Sequence, residues 1–340
     1  MGEYELAAGM PSSTLSMLGL SSGSILGNLE MSHDGMARYL DRTPAVLTWD
    51  DITKWVMEEP KDTEPASADD AAAVKSAGIL GGVLSSAATK FKSILPSRQP
   101  KVRKTILHGM SGIAEPGSMI ALMGPSGSGK TTLLNVLAGR TTLNFTGSVC
   151  INGVPLSKSM KRSIAYVMQD DIFFDHLSVI DQLMFTASLR LDPAMPPDAR
   201  SAHVSLVMDR LMLSHIRDTA ISDISGGERK RVNIANEILS NTSLILLDEP
   251  TSGLDSTAAG TLIATLKAFA RDGKRTIVMS IHQPSSHVFM AFDKVLLMGK
   301  GHMVYAGAPD KVVGYFGAMG YECPQYYNPS DFISALGKGV

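Results

Sequence analysis

Cysteine, net charge and long apolar runs are all scarce in this sequence, and each scarcity removes a class of protein. Two cysteines, Cys150 and Cys323, stand far apart among 340 residues. They make neither a disulfide framework nor a metal-binding spacing, and they suit a reducing compartment. The net charge is only -2, so the global balance does not ask for nucleic acid or an anionic membrane surface. No run reaches the roughly 18 apolar residues of a membrane span. The nearest, "AGILGGVLSSAA", is short and broken by glycine and serine. The opening "MGEYELAAGM" carries acid where a secretory signal would carry base, and Leu6 stands where a myristoylation signal wants Ser or Thr. What is present is a hydrophobic fraction of 44%, ample for a core of one large or two small domains.

The chain divides by pattern. Residues 1–44, rich in Ser, Gly and Met without periodicity, read as a disordered leader. "AVLTWDDITKWV" reads as a strand. Residues 58–103 read as an insertion: an acidic, Pro-containing linker, then a loose helical pattern. That pattern is a marginal surface helix or, alternatively, an amphipathic helix on a membrane surface. From Lys104 the order is regular. "KTILHGMSGIAEPGSMIALMG" predicts two strands about a Pro116-Gly117 turn, and "TGSVCINGVPL" a hairpin at Asn152-Gly153. "RSIAYVMQ", "SLILLDEP" and "RTIVMSIHQ" predict further strands, the last two buried on both faces. Residues 176–240 are mostly helical. "STAAGTLIATLKAFARDGK" predicts a helix stopped at Gly273, and "KVLLMGKGHMVYAG" a final hairpin. Strands alternating with helices imply an α/β fold with a largely parallel central sheet.

"MGPSGSGKTTLLNVLAGR" fits G-x-x-x-x-G-K-[ST] between an apolar strand and a helix, the context that motif requires. Gly124, Gly127 and Gly129, with Pro125, Ser126 and Ser128 between them, let successive N–H groups curl around phosphate oxygens. The helix start at Lys130, Thr131 and Thr132 adds its partial positive charge. Lys130 is placed for the β and γ phosphates of ATP, and Thr131 for Mg²⁺. A plain glycine turn would explain the glycines but not Lys-Thr at that offset. Downstream, Asp248 and Glu249 end the "LILLDE" strand, where ligands of open parallel sheets sit. Asp248 is placed to hold Mg²⁺ through water and Glu249 to polarise an attacking water. Ser225 to Glu228 spells a capping box, with Gly226 and Gly227 keeping the helix start bare. By itself that segment is equally an ordinary helix cap.

"GPSGSGKTT", "YVMQDD", "ISGGERKRV", "LLDEPTSGLDS" and "SIHQP", in that order, resemble the motifs of an ATP-binding-cassette (ABC) ATPase. "VMQDD", "SGGERKRV", "IHQPS" and the tail "GYFGAMGYECPQYYNPSDF" resemble more narrowly the G subfamily, the White-type half-transporters. The resemblance covers roughly residues 47–332, the insertion excepted. It implies a P-loop NTPase with a RecA-like parallel-sheet core, an antiparallel β subdomain and an α-helical signature subdomain, with residues 301–340 as a G-subfamily tail. It implies that Gln169 touches Mg²⁺ and links the ATP site to a transport domain. Ser225, Gly226, Gly227 and Glu228 would then meet the γ-phosphate held by a second ATPase domain. Asp255 would lie at the dimer interface, and His282 would contact the γ-phosphate beside Lys130 and Glu249.

The implied partners are a second ABC ATPase domain and a G-type transmembrane domain, and the implied place is the cytoplasmic face of a membrane. The chain stops near where the connection to six membrane helices would begin. For adenine stacking the candidates are Trp49 and Trp55, while Lys54 falls where the usual aromatic aligns. Competing readings are a soluble ABC ATPase, which would carry two cassettes or a long coiled coil, and an inactive regulatory cassette, against which all the hydrolytic residues stand.

Overall fold

The computed structural model describes residues 43–58, 101–169, 173–325 and 327–339. The leader, most of the 58–103 insertion, and Asp170-Asp171 of the "YVMQDD" motif therefore lie outside the described residues. Two sheets organise the rest. β1 (Leu47–Glu58), β2 (Val102–Ala114), β4 (Phe145–Ile151) and β5 (Val154–Pro155) form an antiparallel sheet in the order β2-β1-β4-β5. β3 (Met119–Met123), β6 (Ile164–Val167), β7 (Leu244–Leu247), β8 (Thr276–Ser280), β9 (Lys294–Gly299) and β10 (His302–Gly307) form the second, ordered β10-β9-β3-β8-β7-β6. Its pairs are parallel except for the β9–β10 hairpin.

The inner strands β3, β7, β8 and β9 of the six-stranded sheet are buried on both faces, and the strand period of two divides their side chains between two cores. Met119, Ala121 and Met123 face one cluster with Ile245, Leu247, Ile277 and Met279. Ile120 and Leu122 face the other with Leu244, Leu246 and Val278. The first face is covered by helices: α2 (Val179–Arg190), α3 (Pro197–Arg210), α4 (Gly226–Ile238) and α5 (Ser256–Asp272). The second is covered by the antiparallel sheet and by α1 (Lys130–Leu137), through Leu133, Leu134 and Leu137. Short helices α6 (Ser286–Met290) and α7 (Val312–Ala318) and the terminal α8 (Pro329–Gly339) complete the chain.

The two predicted hairpins form with paired positive φ angles at Asn152-Gly153 and Lys300-Gly301, which the twist of adjacent strands favours. Gly139, at φ +64, ends α1. The stop of α5 differs in detail. Gly273 caps it at φ -100, and Lys274 takes the left-handed position instead. The sheet also overruns the expected boundaries. Met57 and Glu58 pair with Arg103 and Val102, so the 58–103 span takes in strand residues at both ends. Thr43 and Pro44 accept hydrogen bonds from Ser243 and Asn152, which ties the last two residues of the expected leader to the domain.

Candidate functional site

The phosphate loop leaves β3 at its C-terminal end and enters α1. Gly124, Gly127 and Gly129 all have positive φ, at +144, +79 and +100, values that L side chains resist. A Cβ on Gly124 would also stand 2.2 Å from the Met298 carbonyl. The first turn of α1 has no side-chain cap and no acidic residue, so its N–H groups and dipole are left for an anion. Ser128 Oγ is buried without a hydrogen-bond partner, while Ser126 and Gly127 are exposed. An orphaned hydroxyl inside a bare nest fits a phosphate group.

Lys130 is 6% exposed, and its Nζ donates to the carbonyls of Gly124 at 2.9 Å and Pro125 at 3.2 Å. Burial lowers its pKa, and the negative charges of Glu249 and Asp248 oppose that shift. The ammonium thus lies folded over the loop it would serve. One residue on, Thr131 Oγ1 donates to Asp248 Oδ1 at 3.1 Å. A hydroxyl and a single carboxylate in contact are a donor set suited to Mg²⁺, which keeps waters and takes its remaining oxygens from phosphates. No group of three or more potential metal-ligating His, Cys, Asp or Glu side chains occurs among the described residues.

Glu249 follows Asp248 with φ +48, a strained conformation for a non-glycine residue. Gln169 Nε2 donates to its Oε2 at 3.2 Å. Thus Gln169, Thr131, Asp248 and Glu249 are brought together as the sequence predicts. Sequence reasoning missed Ser280. This fully buried residue ends β8, donates to Asp248 Oδ1 at 2.6 Å and accepts from the Glu249 N–H at 2.8 Å. One hydroxyl therefore fixes both acidic residues. Its only sequence signal was a polar residue closing an otherwise apolar run.

His282 is exposed just beyond β8, next to Gln283 at φ +42. The tail holds this loop. Ser330 Oγ and Asn328 Nδ2 both donate to the Pro284 carbonyl, the latter at 3.4 Å, and Ser286 Oγ donates to Asn328 Oδ1 at 2.9 Å. "NPSDF", read from the sequence only as a family mark, is therefore a clamp on the histidine loop.

The signature segment forms the predicted capping box. Ser225 Oγ accepts from the Glu228 N–H, and the Glu228 carboxylate accepts from the Ser225 N–H at 2.9 Å and from its hydroxyl at 2.6 Å. The Ser225 hydroxyl bond holds the Glu228 carboxyl below its ordinary pKa, assisted by His215 at 2.9 Å. The box leaves the Gly226 and Gly227 N–H groups without a partner among the described residues. Among the described residues, no hydrogen bond joins residues 225–228 to the phosphate loop. Asp255 caps α5, accepting from Thr257 and Ala258 N–H groups at 2.8 Å each.

The adenine candidates need correction. Trp49 is 2% exposed with its ring over Gly112, so it belongs to the core. The strand register shifts between Trp49 and Ile52, around Asp51 at φ +49. Trp55 is half-buried, and the Arg103 guanidinium lies 3.8 Å from its ring centroid. One face of that ring is already occupied. Lys54 is also buried, donating to the Leu143 carbonyl at 2.6 Å.

A nucleotide loop at the switch from strand to helix, an acidic strand end beside it and a helical layer carrying a glycine-rich cap define a P-loop ATPase of the ATP-binding-cassette type. Comparison with known proteins agrees. The family described as "ABC transporter" matches residues 107–252, and that described as "ABC-2 type transporter" matches residues 282–340. Among curated proteins, ABC transporter G family member 21 of Arabidopsis thaliana is 45% identical over 250 residues, covering 72% of this chain and 37% of its own length. Protein white of Drosophila melanogaster is 42% identical over 244 residues, covering 68% and 35%. Among solved structures, cbiO1 from Clostridium perfringens, titled part of the ABC transporter complex cbiONQ, matches with a TM-score of 0.57 at 25% identity. That match covers 63% of this chain and 86% of the other. The chain belongs to the ABC transporter family, and its relatives place it in the G type. It spans about a third of the length of those curated relatives. No described helix is long and apolar enough to cross a membrane.

Proposed function

We propose that this chain is the ATP-hydrolysing module of a G-type transporter and that its active unit is a sandwich of two ATPase domains. The observation that carries the reading is the pair Gly226 and Gly227. Their φ angles are ordinary. Among the described residues, a Cβ on Gly226 would meet nothing within 4 Å, and one on Gly227 only Leu254 at 3.6 Å and Ala258 at 4.0 Å. The chain's own packing does not need them small; a phosphate approaching from another subunit does.

In this reading the phosphate loop and Lys130 bind the triphosphate. Thr131 and Asp248 would hold Mg²⁺, with Gln169 among the residues beside them. When bound, Mg²⁺ would supply positive charge to offset the negative charge developing on the phosphates. Glu249 orients and deprotonates the attacking water. His282 donates to the γ-phosphate, and Asp255 lies at the subunit boundary. Ser225, Gly226 and Gly227 of the second subunit close the far side and exclude water. Closing and reopening would drive a transmembrane domain from the cytoplasmic face. The expectation that the cargo is hydrophobic or lipid-like rests on the resemblance to G-type exporters.

The test is Mg²⁺-ATP binding and turnover by the parent chain and by Glu249→Gln. The variant should bind ATP as the parent does and lose turnover by about 10²- to 10⁴-fold, the contribution of a general base. Parental turnover in Glu249→Gln would remove that residue from the chemistry.

A further inference from the structure

Lys230 lies one turn into α4 and is 5% exposed. A buried ammonium is costly unless hydrogen-bonded, so where its donors go is informative. Its Nζ donates to the backbone carbonyl of Gln169 at 2.8 Å. Asn233, almost a turn further along α4, reaches the neighbouring Met168 carbonyl at 3.5 Å. The helix thus holds the glutamine loop by its main chain. From the same residue the side chain continues the path, Gln169 Nε2 donating to Glu249 Oε2 at 3.2 Å. Gln169, Gly226, Lys230 and the turn at residues 252–254 line one open cleft of about 460 Å³.

The two ends of this path belong to different nucleotide sites. The N-terminus of α4, with its open Gly226 and Gly227 donors, faces ATP held by the other subunit. Glu249 serves ATP held by this one. We propose that Lys230 is a positioning residue that couples the two. Phosphate docked on α4 moves the helix as a rigid unit, Lys230 carries the Gln169 backbone with it, and the Gln169 side chain changes its hold on the Glu249 carboxylate. The inference rests on the two-domain sandwich proposed above. Coupling of this kind is reciprocal in binding and makes the ATP dependence of turnover cooperative.

The experiment compares the parent chain with Lys230→Met and Lys230→Arg. It measures the ATP dissociation constant, ATP-driven dimer formation in a Glu249→Gln background, and turnover against ATP concentration. In Lys230→Met, ATP affinity and dimer formation should persist. Turnover should fall roughly three- to thirtyfold, the range for residues that carry coupling, and cooperativity in ATP should vanish. Lys230→Arg, which keeps a donor at similar reach, should recover both. Lys230→Met added to Gln169→Ala should lose nothing further, because the path is already cut. If Lys230→Met does not fold, Lys230→Gln replaces it with the same expected result. A dimerising Lys230→Met chain with parental rate and cooperativity overturns the proposal, as do additive losses in the double variant. A parent chain that stays monomeric with ATP overturns the sandwich and this coupling with it.

Discussion

Two helices, α1 and α4, begin on glycine-rich segments, and they treat their N-termini in opposite ways. α1 has no cap, no acid in its first turn and an orphaned serine beside it. Two of its glycines are crowded: a Cβ on Gly124 would meet the Met298 carbonyl at 2.2 Å, and one on Gly129 the Leu107 side chain at 2.6 Å, while Gly127 has nothing within 4 Å among the described residues. α4 caps itself through Ser225 and Glu228; among the described residues a Cβ on Gly226 would stand in open space, and one on Gly227 would make only ordinary contact with Leu254 and Ala258. The first end is a bare helix start locked into its own core. The second is a finished helix end whose small residues meet little of the chain among the described residues, as the proposed sandwich requires.

Substitution of these glycines should split function from stability. Gly226→Val should leave the melting temperature close to the parent's, since the side chain enters open space. In a sandwich it would hold off the γ-phosphate, and turnover should fall by about 10²- to 10³-fold, as when a transition-state donor is removed. Gly124→Ala should do the reverse in kind. Its cost should appear as roughly 2–4 kcal/mol of lost stability from overpacking and backbone strain, read by chemical denaturation. If Gly226→Val destabilises as much as Gly124→Ala, the contrast between the two ends fails.

The contrast was half legible in the sequence. Spacing alone located Gly124 through Thr132, because a strand, a bare glycine turn and Lys-Thr at a fixed offset have one shared physical use. The capping box was equally readable, since Ser and Glu three apart make a local bond that needs no tertiary knowledge. That β7 and β8 are strands buried on both faces followed from their short apolar runs, but their register beside each other and β3 did not. Ser280 was not readable. Its role depends on β7 and β8 lying side by side so that one hydroxyl reaches Asp248 and Glu249 across strands. Trp49 misled because the register shift at Asp51 decides which aromatic of "WDDITKW" faces the core. Asn328 and Ser330 carried a family mark but no visible purpose until the tail folded back onto Pro284.

Ser280→Ala sharpens the α1 side of the comparison. It leaves the Glu249 N–H unpaired and removes one donor from Asp248, at a cost of about 1–3 kcal/mol in stability. Turnover should fall by about tenfold as Glu249 loses its set position, while Ser280→Thr, which keeps the hydroxyl, should retain more of it. Unchanged turnover in Ser280→Ala would make that hydroxyl merely structural.

The smallest effect tests the self-capped end. The Glu228 carboxyl is held below its ordinary value of 4.5, chiefly by the Ser225 hydroxyl. A lowered folded pKa gives stability that is fully present above the unfolded value and is lost as pH falls through the folded one. An acid titration of stability should therefore show a component below about pH 4.5 that is absent in Glu228→Gln. Identical acid profiles in the two chains would remove the capping box from the acid response.

The most direct test of the central claim, that one chain holds two half-sites completed only by a second domain, is the mass of Glu249→Gln in solution with and without Mg²⁺-ATP. The sandwich predicts a monomer without nucleotide and a dimer with it, and a monomer in both conditions once Gly226→Val is added. A Glu249→Gln chain that binds ATP and stays monomeric, or a Gly226→Val double variant that dimerises as readily, would contradict it.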